Sequence, residues 1–377
     1  MKINIVGGGP AGLYFSILMK KADPSHQIEV FERNGPDDTF GWGVVFSGKT
    51  MSNLRQADPE SHALIASTFK QWDNVDVVHA DYRISIHGNS FSGISRLALL
   101  KILQTRASQL GVVTHYHSEI ADVNSLRDSC DLLVGADGVN SLVRRTYSEF
   151  FKPQLDSRPN RYIWYGTGHL FHGLTLTFRR DGEGIFAAHS YKFSNAASTF
   201  IVECDQETWK TVGLDEMSEA ETRRYLEQVF EKDLGGQELL SNNSKWINFI
   251  LVKNERWFHE NVVLLGDALH TAHFSIGSGT KLALEDAIEL ARAFENARDL
   301  TTALERFESI RQPVIAEYQA AAYDSMTWFE NTRDKFKLTP LELAFSLMTR
   351  SGRLDYEDLR RRDPKFIADY ERSQSAN

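Results

Sequence analysis

The sequence predicts an α/β fold into which an antiparallel β-sheet is inserted and whose C-terminal part is helical. Three observations lead to this prediction. The first 32 residues have a β-α-β pattern, residues 162 to 204 contain short β-rich runs between turn residues, and nearly everything after Thr280 has helical periodicity. Because a β-α-β start favours a parallel sheet covered by helices, we interpret the β-rich segment as an insertion.

The N-terminal elements are predicted from their hydrophobic patterns. Lys2 to Val6 (KINIV) is a β-branched run, LYFSILMKKA has apolar residues at helical spacing, and Gln27 to Glu32 (QIEVFE) alternates like a strand. Arg96 to Gly111 is typical of an amphipathic helix that ends at glycine. Cys130 to Ala136 (CDLLVGA) is typical of a buried strand.

The later elements follow in the same way. The runs YIWYGTGHLF, LTLTFRR, IFAAHSYKF and STFIVEC predict the strands of the antiparallel sheet. We expect a polar helix from Asp215 to Leu234, a strand from Val262 to Leu265 (VVLL), and helices from Thr280 onward.

Composition excludes several classes of function. The 377 residues carry 42 Lys and Arg against 51 Asp and Glu, a net charge of −9, which provides no general field for a nucleic-acid backbone. No apolar run approaches the roughly 20 residues of a membrane span, and the start lacks the features of a secretory signal. The two cysteines, Cys130 and Cys204, suggest neither disulfides nor a metal site. We therefore expect a cytoplasmic protein without nucleic-acid, membrane or metal partners.

A glycine motif lies between the first strand and the first helix. Gly7, Gly9 and Gly12 have GxGxxG spacing, with Pro10 and Ala11 inside the motif. The glycines allow a tight turn, close approach of a pyrophosphate and packing of the helix on the strand. Glu32 closes the second strand, where a carboxylate can accept ribose hydroxyls, so a turn without a ligand explains the pattern less well. NAD and FAD are both compatible with this motif.

Two later motifs indicate which nucleotide binds. DLLVGADGVNSLVRR places Asp137 and Gly138 after a strand, and VVLLGDALHTAHFSIGSGTKLALEDA places Gly266 and Asp267 after another. In the second motif, Gly277 and Gly279 open a long helix. An aspartate at a strand end can bind a ribityl hydroxyl, and a helix N-terminus can face a phosphate or a flavin carbonyl.

Together the three motifs resemble the FAD-dependent aromatic-ring hydroxylases of the para-hydroxybenzoate hydroxylase type. The resemblance implies an FAD-binding Rossmann-like domain, an inserted antiparallel β-sheet substrate domain and a helical C-terminus. In this family, separate groups of residues bind the ADP part, the isoalloxazine and the ribityl chain of FAD, and this sequence has residues that match each group. The implied FAD-binding residues are Gly7, Gly9, Pro10, Ala11, Gly12, Glu32, Arg33, Trp42, Gly43, Arg96, Asp137, Gly138, Gly266, Asp267, Gly277, Gly279 and Thr280. The chain departs from the family at Phe274, where proline is usual, and at Lys281, where asparagine is usual.

The implied domain organisation has four parts. Residues 1–160 form the first part of the FAD-binding domain, with a short excursion into the substrate domain near 73–95. Residues 161–260 form the inserted sheet, 261–310 complete the FAD-binding domain, and 311–377 form a helical segment.

A closer resemblance lies in GWGVVFSGKTMSNL, RYIWYGTGHLF, STFIVEC and FSLMTRSGRLDYEDLRRRDPKF. These segments look like the salicylyl-CoA 5-hydroxylases and the flavin domain of the 2-aminobenzoyl-CoA monooxygenases. The middle segment is also similar to a hydroxylase of violacein biosynthesis. The chain ends at Asn377, without the second half of the 2-aminobenzoyl-CoA enzymes, so we expect plain hydroxylation.

The activity that this resemblance implies is a flavoprotein monooxygenase. NADH or NADPH would reduce FAD, O₂ would form a flavin hydroperoxide, and salicylyl-CoA would be hydroxylated at its 5-position to gentisyl-CoA. A hydroxylase of an indole-derived or other free aromatic substrate is the first alternative. A non-catalytic flavin-binding redox protein is the second. The sequence decides neither the nicotinamide cofactor nor the oligomeric state.

Candidate residues for the substrate lie in the inserted sheet, in the loop after Asp267 and in the C-terminal helical segment. We expect catalytic roles for His189, Tyr165 and Tyr191, because a histidine base could take the proton of a phenol, although packing of an aromatic-rich sheet also explains these residues. Phe274 and His273 are candidates for contact with the aromatic ring, and a purely structural role in the loop is the alternative for both. Arg350 and Arg353 are candidates for the coenzyme A phosphates, and a solvated helix is the alternative for them.

Overall fold

The computed structural model describes residues Met1–Ser375 and confirms the predicted α/β class with an antiparallel sheet and a helical C-terminus. Ala376 and Asn377, the end of the predicted segment 311–377, lie outside the described residues. Among Met1–Ser375, no helix combines the length and apolarity needed to cross a membrane.

The strands, in chain order, are β1 (Lys2–Val6), β2 (Gln27–Phe31), β3 (Gly43–Ser47), β4 (Lys70–Trp72), β5 (Val75–His79), β6 (Tyr82–Ile86), β7 (Phe91–Ser95), β8 (Val113–His115), β9 (Leu132–Gly135), β10 (Pro153–Thr167), β11 (Leu174–Asp181), β12 (Gly184–Lys192), β13 (Ser198–Cys204), β14 (Leu239–Leu240), β15 (Ile247–Asn254), β16 (Phe258–His259) and β17 (Val262–Leu264).

The helices, in chain order, are α1 (Pro10–Ala22), α2 (Gly48–Ala57), α3 (Pro59–Thr68), α4 (Arg96–Gln109), α5 (Val123–Asp128), α6 (Leu142–Thr146), α7 (Ser148–Phe151), α8 (Gln206–Thr211), α9 (Glu219–Val229), α10 (Glu231–Leu234), α11 (Gly279–Ala293), α12 (Leu300–Glu330), α13 (Thr332–Lys335), α14 (Pro340–Thr349), α15 (Tyr356–Arg362) and α16 (Pro364–Ser375). Short 3₁₀ helices span Gly266–Ala268 and Phe274–Ile276.

A six-stranded sheet forms the N-terminal layer, in the order β16-β17-β9-β1-β2-β8. Its neighbours pair in parallel from β17 to β8. Such strands are buried on both faces, which explains why β9 is apolar throughout and why β1 is buried from Ile3 to Val6. The carboxyl ends of β1, β9 and β17 lead into the three predicted motifs, so the sheet brings these motifs to one edge.

The larger sheet has the order β14-β10-β13-β12-β11-β5-β6, and β15 pairs with β10. One face packs on α8, α9 and α10 through a core that includes Phe200, Leu226 and Phe230. The other face packs on the end of α12 and on α14 to α16. The strand β5 joins this sheet by parallel pairing with β11, although it precedes β11 by roughly a hundred residues. A small third sheet has the order β3-β7-β4.

Candidate active site

The first glycine motif forms the turn from β1 to α1. Gly7 has φ +108°, and a Cβ at this residue would lie 2.2 Å from the carbonyl oxygen of Ala136. A Cβ on Gly12 would lie 2.3 Å from the carbonyl oxygen of Gly7. Glycine is therefore required for α1 to pack on the strands. At Gly9, by contrast, a Cβ would meet no atom within 4 Å. No side chain caps α1, which begins at Pro10, so its free N–H groups face open space and can bind an anion.

Glu32 follows β2 directly and is bound to the glycine turn. Its Oε2 accepts a hydrogen bond from the Gly8 N–H at 2.7 Å, and its Oε1 accepts from the backbone and side-chain N–H groups of Asn34, both at 2.8 Å. Oε2 keeps a second lone pair for a ligand hydroxyl. The neighbouring Arg33 is exposed at the surface.

The second motif follows β9 and starts α6. Asp137 accepts hydrogen bonds at Oδ2 from the N–H groups of Leu142 at 2.6 Å and Val143 at 3.2 Å. Its Oδ1 is buried without a hydrogen-bond partner among the described residues. Gly138 has φ +77°, and a Cβ there would meet no atom within 4 Å. The motif thus combines a fixed carboxylate with open space beside it.

The third motif follows β17. Gly266 has φ +61°, and a Cβ there would lie 3.0 Å from the Cβ of Ala11, so this turn packs against α1. Asp267 is exposed to solvent, although many protein atoms surround its carboxylate. This partial desolvation raises the pKa of Asp267, and the neighbouring Arg96 and His270 oppose the rise.

A buried ionic cluster fixes the turn that carries Asp267. His270 Nε2 lies 2.7 Å from Asp286 Oδ2, and Arg311 Nε donates to Asp286 Oδ1 at 2.7 Å. Burial raises the pKa of Asp286, but His270 and Arg311 outweigh it and hold the pKa below its ordinary value. The cluster therefore joins the turn, α11 and α12 through a buried carboxylate.

The start of α11 is a second helix N-terminus that faces open space. Its first turn has no side-chain cap, and Thr280 is half-buried within it. Gly277 has φ +61°, and a Cβ on Gly277 or Gly279 would meet no atom within 4 Å. The N–H groups of this turn can therefore approach a ligand closely.

Arg96, at the start of α4, is positioned by the inserted sheet. Its N–H donates to the Trp42 carbonyl at 2.8 Å, and the hydroxyl of Tyr191 donates to the Gly43 carbonyl at 2.8 Å. The Trp42 ring packs on Gly166, where a Cβ would lie 2.6 Å from it. Burial raises the pKa of Tyr191 to about 12, so it remains a hydrogen-bond donor. Tyr191 therefore positions the Arg96 segment.

The sheet register corrects the expected catalytic role of Tyr165. Residues directly opposite one another on neighbouring strands share a face. Tyr165 lies opposite Phe200, which lies opposite Ser190, so Tyr165 is on the other face from His189 and Tyr191. Its ring is fully buried in the core beneath α9. Successive side chains of a strand point to opposite faces of the sheet, and Tyr165 points to the face away from His189. The structure therefore does not bring Tyr165 to the site.

His189 lies in a buried polar and aromatic cluster on the face that packs on α12. Its Nε2 is 3.3 Å from Glu203 Oε2, and Glu203 Oε1 accepts from Asn160 Nδ2 at 2.9 Å. The His189 ring lies 5.2 Å from that of Phe274 and 4.6 Å from that of Phe329, between ring centroids. The cluster therefore brings a buried imidazole, a carboxylate and two aromatic rings together.

Tyr162 is on the same face. It lies opposite Glu203 in the sheet register, and its ring centroid is 4.6 Å from that of Phe274. Burial raises the pKa of Tyr162, and the charges of Asp267 and Glu203 add to this rise. The Tyr162 hydroxyl therefore stays protonated, and it has no hydrogen-bond partner among the described residues.

His273, which precedes the 3₁₀ helix Phe274–Ile276, connects this segment to the C-terminal helices. The Nδ1 of His273 is 2.8 Å from Ser275 Oγ. This oxygen is 2.7 Å from Ser325 Oγ, and Ser325 Oγ accepts a hydrogen bond from Arg350 Nε at 2.8 Å. Burial lowers the pKa of His273 to about 4, against the opposing effect of Glu203. His273 is therefore neutral near neutral pH.

The two candidate arginines point in different directions. Arg350 turns inward, where it also donates to the Ser275 carbonyl at 2.7 Å, and desolvation lowers its pKa to about 10. Arg353 is exposed, and its guanidinium lies 4.6 Å from the ring centroid of Tyr318. Lys281 contacts the same ring, at 4.0 Å from its centroid. The structure therefore does not bring Arg350 and Arg353 together.

Sequence reasoning missed Tyr162, Glu203 and Phe329. Of these, Glu203 could have been found from the sequence, because a carboxylate within the largely apolar strand STFIVEC is expected to be buried and to need a hydrogen-bonding or charged partner. The structure supplies that partner as His189.

Comparisons with known proteins show what this chain is similar to. A family model described as "FAD binding domain" matches residues 1–321. Salicyloyl-CoA 5-hydroxylase from Streptomyces sp is 39% identical over 95% of this chain and 72% of that protein. Protodeoxyviolaceinate monooxygenase from Chromobacterium violaceum is 36% identical over 93% of this chain and 94% of that protein. The solved structure of 2-methyl-3-hydroxypyridine-5-carboxylic acid oxygenase has a similar fold, with TM-score 0.71, 18% identity, and coverage of 93% and 97% of the two chains.

The chain belongs to this family of FAD-binding proteins. It is an FAD-dependent aromatic monooxygenase, so the prediction of family and enzyme class is confirmed. The alternative of a non-catalytic flavin-binding protein is therefore not retained. The open space at Gly9, Gly138, Gly277 and Gly279, together with two uncapped helix N-termini, fits an extended dinucleotide such as FAD.

Proposed function

We propose that this monooxygenase uses NADH or NADPH and O₂ to hydroxylate an aromatic acyl-CoA, with salicylyl-CoA converted to gentisyl-CoA. The cluster of His189, Tyr162, Phe274 and Phe329 carries the proposal, because it joins an imidazole to aromatic rings on the sheet face that also holds Tyr191. The similarity to salicyloyl-CoA 5-hydroxylase over 95% of this chain supports the thioester substrate.

The proposed FAD contacts follow from the three motifs. The first turns of α1 and α11 would hold the pyrophosphate and the isoalloxazine edge, Glu32 the ribose, and Asp267 the ribityl chain. When bound, FAD supplies the two-electron chemistry that activates O₂ and delivers one oxygen atom to the ring. The protein orients the ring and excludes water.

The residues of the cluster have separate proposed roles. Phe274 and Phe329 would fix the plane of the substrate ring, because aromatic pairs favour offset or edge-to-face contact. The hydroxyl of Tyr162 would donate to an oxygen of the substrate. His189 would accept the proton of the phenol, which makes the ring richer in electrons and offsets the withdrawal by the thioester.

Coenzyme A would extend from this buried cluster to the surface. Arg353 is the better candidate for a phosphate contact, since its guanidinium is exposed beside Lys281 and Tyr318. Arg350 is better assigned to positioning of the loop, because three of its N–H groups already bind Ser275, Ser325 and Leu347.

A free aromatic substrate is the second candidate. Protodeoxyviolaceinate monooxygenase aligns over 94% of its length at 36% identity, so the whole fold of this chain is also compatible with that class of substrate.

Anaerobic stopped-flow reduction of the bound flavin distinguishes the candidates. NADH and NADPH are each mixed with the holoenzyme alone and with salicylyl-CoA, 2-aminobenzoyl-CoA, salicylate or an indole carboxylate. We expect salicylyl-CoA to accelerate reduction by about tenfold or more, as binding at a substrate site would do. Acceleration by the free aromatics alone would contradict the acyl-CoA proposal.

A further inference from the structure

We propose that Glu203 is a positioning residue that fixes the His189 tautomer, so that Nδ1 accepts a hydrogen bond from an acidic hydroxyl on the substrate ring. This inference rests on the proposed function, and it narrows the substrate class to aromatics that carry a phenolic hydroxyl at this point of the site.

The geometry places Glu203 between two partners. Only 2% of Glu203 is exposed, its Oε2 lies 3.3 Å from His189 Nε2, and its Oε1 accepts from Asn160 Nδ2 at 2.9 Å. A buried carboxylate held on both oxygens has little freedom to rotate. The strands fix the pair further, because Glu203 and His189 lie on neighbouring strands of the same face.

The charge state of Glu203 determines which imidazole nitrogen carries the hydrogen. Burial raises the pKa of Glu203, but the His189 hydrogen bond, the nearby His273 and the Asn160 bond outweigh it, and the pKa lies below its ordinary value. An ionised carboxylate only accepts hydrogen bonds, so Nε2 of His189 must donate to it. In neutral His189 the other nitrogen, Nδ1, then carries a free lone pair.

Nδ1 is available for a ligand. Among Met1–Ser375 it forms no hydrogen bond, and the ring contacts those of Phe274 and Phe329. A phenol on the substrate can therefore transfer its proton to Nδ1. The O–H bond breaks, its electron pair stays on the phenolic oxygen, and the resulting imidazolium is paired with Glu203.

The other titratable groups around the cluster do not compete for this proton. His273 has its pKa lowered to about 4 and is neutral, while burial raises the pKa of Tyr162 and keeps it protonated. The charged groups that also face His273 or Tyr162 are Arg158, Arg350 and Asp267. The proton of the substrate is thus left to His189.

Ultraviolet titration of the bound substrate tests the role of Glu203. Oxidised holoenzyme is saturated with salicylyl-CoA without NADH or NADPH, and the phenolate absorbance is followed against pH for wild type, Glu203→Gln and His189→Asn. Tyr165→Phe, on the opposite face, is the matched control. We expect Glu203→Gln to raise the apparent pKa of the bound phenol by about one unit or more, a tenfold loss of phenolate, with unchanged flavin content. A correctly folded Glu203→Gln protein with the wild-type phenol pKa would overturn the proposal.

Nitrogen NMR of histidine-labelled wild-type holoenzyme tests the same claim without a substrate or a Glu203 variant. His189, assigned by loss of its signals in His189→Asn, should be protonated at Nε2 and unprotonated at Nδ1. The reverse tautomer would refute the positioning role. Failure of wild type to bind salicylyl-CoA would instead count against the proposed function, while the NMR result would still decide the role of Glu203.

Discussion

Acidification should destabilise this protein through His273, and the size of the effect follows from its burial. Only 2% of His273 is exposed, and its pKa falls from an ordinary value of 6.5 to about 4. Below pH 6.5, His273 binds a proton in the unfolded chain, whereas in the folded chain it binds one only near pH 4. The stability that neutral His273 contributes is therefore lost as the pH falls from about 6.5 to about 4. The full loss is about 3 kcal/mol, and about 2 kcal/mol is lost by roughly pH 5.

The variant His273→Asn isolates this contribution. Asparagine removes the titration but can still accept the hydrogen bond from the Ser275 N–H, which His273 accepts at 3.3 Å at the start of the 3₁₀ helix Phe274–Ile276. Urea unfolding is followed by tryptophan fluorescence with saturating FAD at about pH 7 and about pH 5. Wild type should lose about 2 kcal/mol more free energy of unfolding than the variant between these values. Equal losses would show that His273 is not held neutral.

Three further predictions use matched pairs or single changes. Gly12→Ala should lose about 1–3 kcal/mol of stability, because its Cβ would lie 2.3 Å from a carbonyl oxygen, whereas Gly9→Ala should fold normally and bind FAD about tenfold more weakly. Thermal unfolding measures the stability of each variant, and the ratio of flavin to protein absorbance measures its FAD content. Equal stability and equal FAD content in the two variants would contradict the separate roles given to Gly9 and Gly12. Tyr162→Phe should lower kcat/KM by about tenfold in steady-state hydroxylation while Tyr165→Phe leaves it unchanged, and the opposite order would refute the face assignment. Arg353→Ala should raise the KM for salicylyl-CoA about fivefold without changing kcat, and an unchanged KM would remove Arg353 from the phosphate site.

The nucleotide-binding part of the molecule was predictable because its signals are local. A strand, a glycine turn and a helix are adjacent in sequence, so the spacing of Gly7, Gly9 and Gly12 reports the geometry directly. The helix predicted from Arg96 to Gly111 is confirmed as Arg96–Gln109, and Gly111 has φ +84°. The C-terminal end of this helix could be predicted because glycine tolerates the left-handed backbone conformation that ends a helix.

The substrate side was less predictable because it depends on the register between distant strands. Strand alternation alone puts Tyr162 and Tyr165 on opposite faces, but only the pairing of β10 with β13 shows which of them shares the face of His189. The first half of β10, PQLDSRPN, is polar and contains two prolines, and it becomes a strand only by pairing with β15. The structure thus supplied Tyr162 and Glu203, which lie opposite one another although 41 residues separate them in the sequence.

Incorporation of isotopically heavy oxygen tests whether this protein hydroxylates the aromatic ring of salicylyl-CoA. The holoenzyme is incubated with NADH or NADPH, salicylyl-CoA and heavy O₂ in ordinary water, and the thioester product is analysed by mass spectrometry. We expect one heavy oxygen atom on the aromatic ring of the product, and a strong loss of this product in His189→Asn with retained FAD. Reduced nicotinamide consumed without labelled product, or oxygen that comes from water, would contradict it.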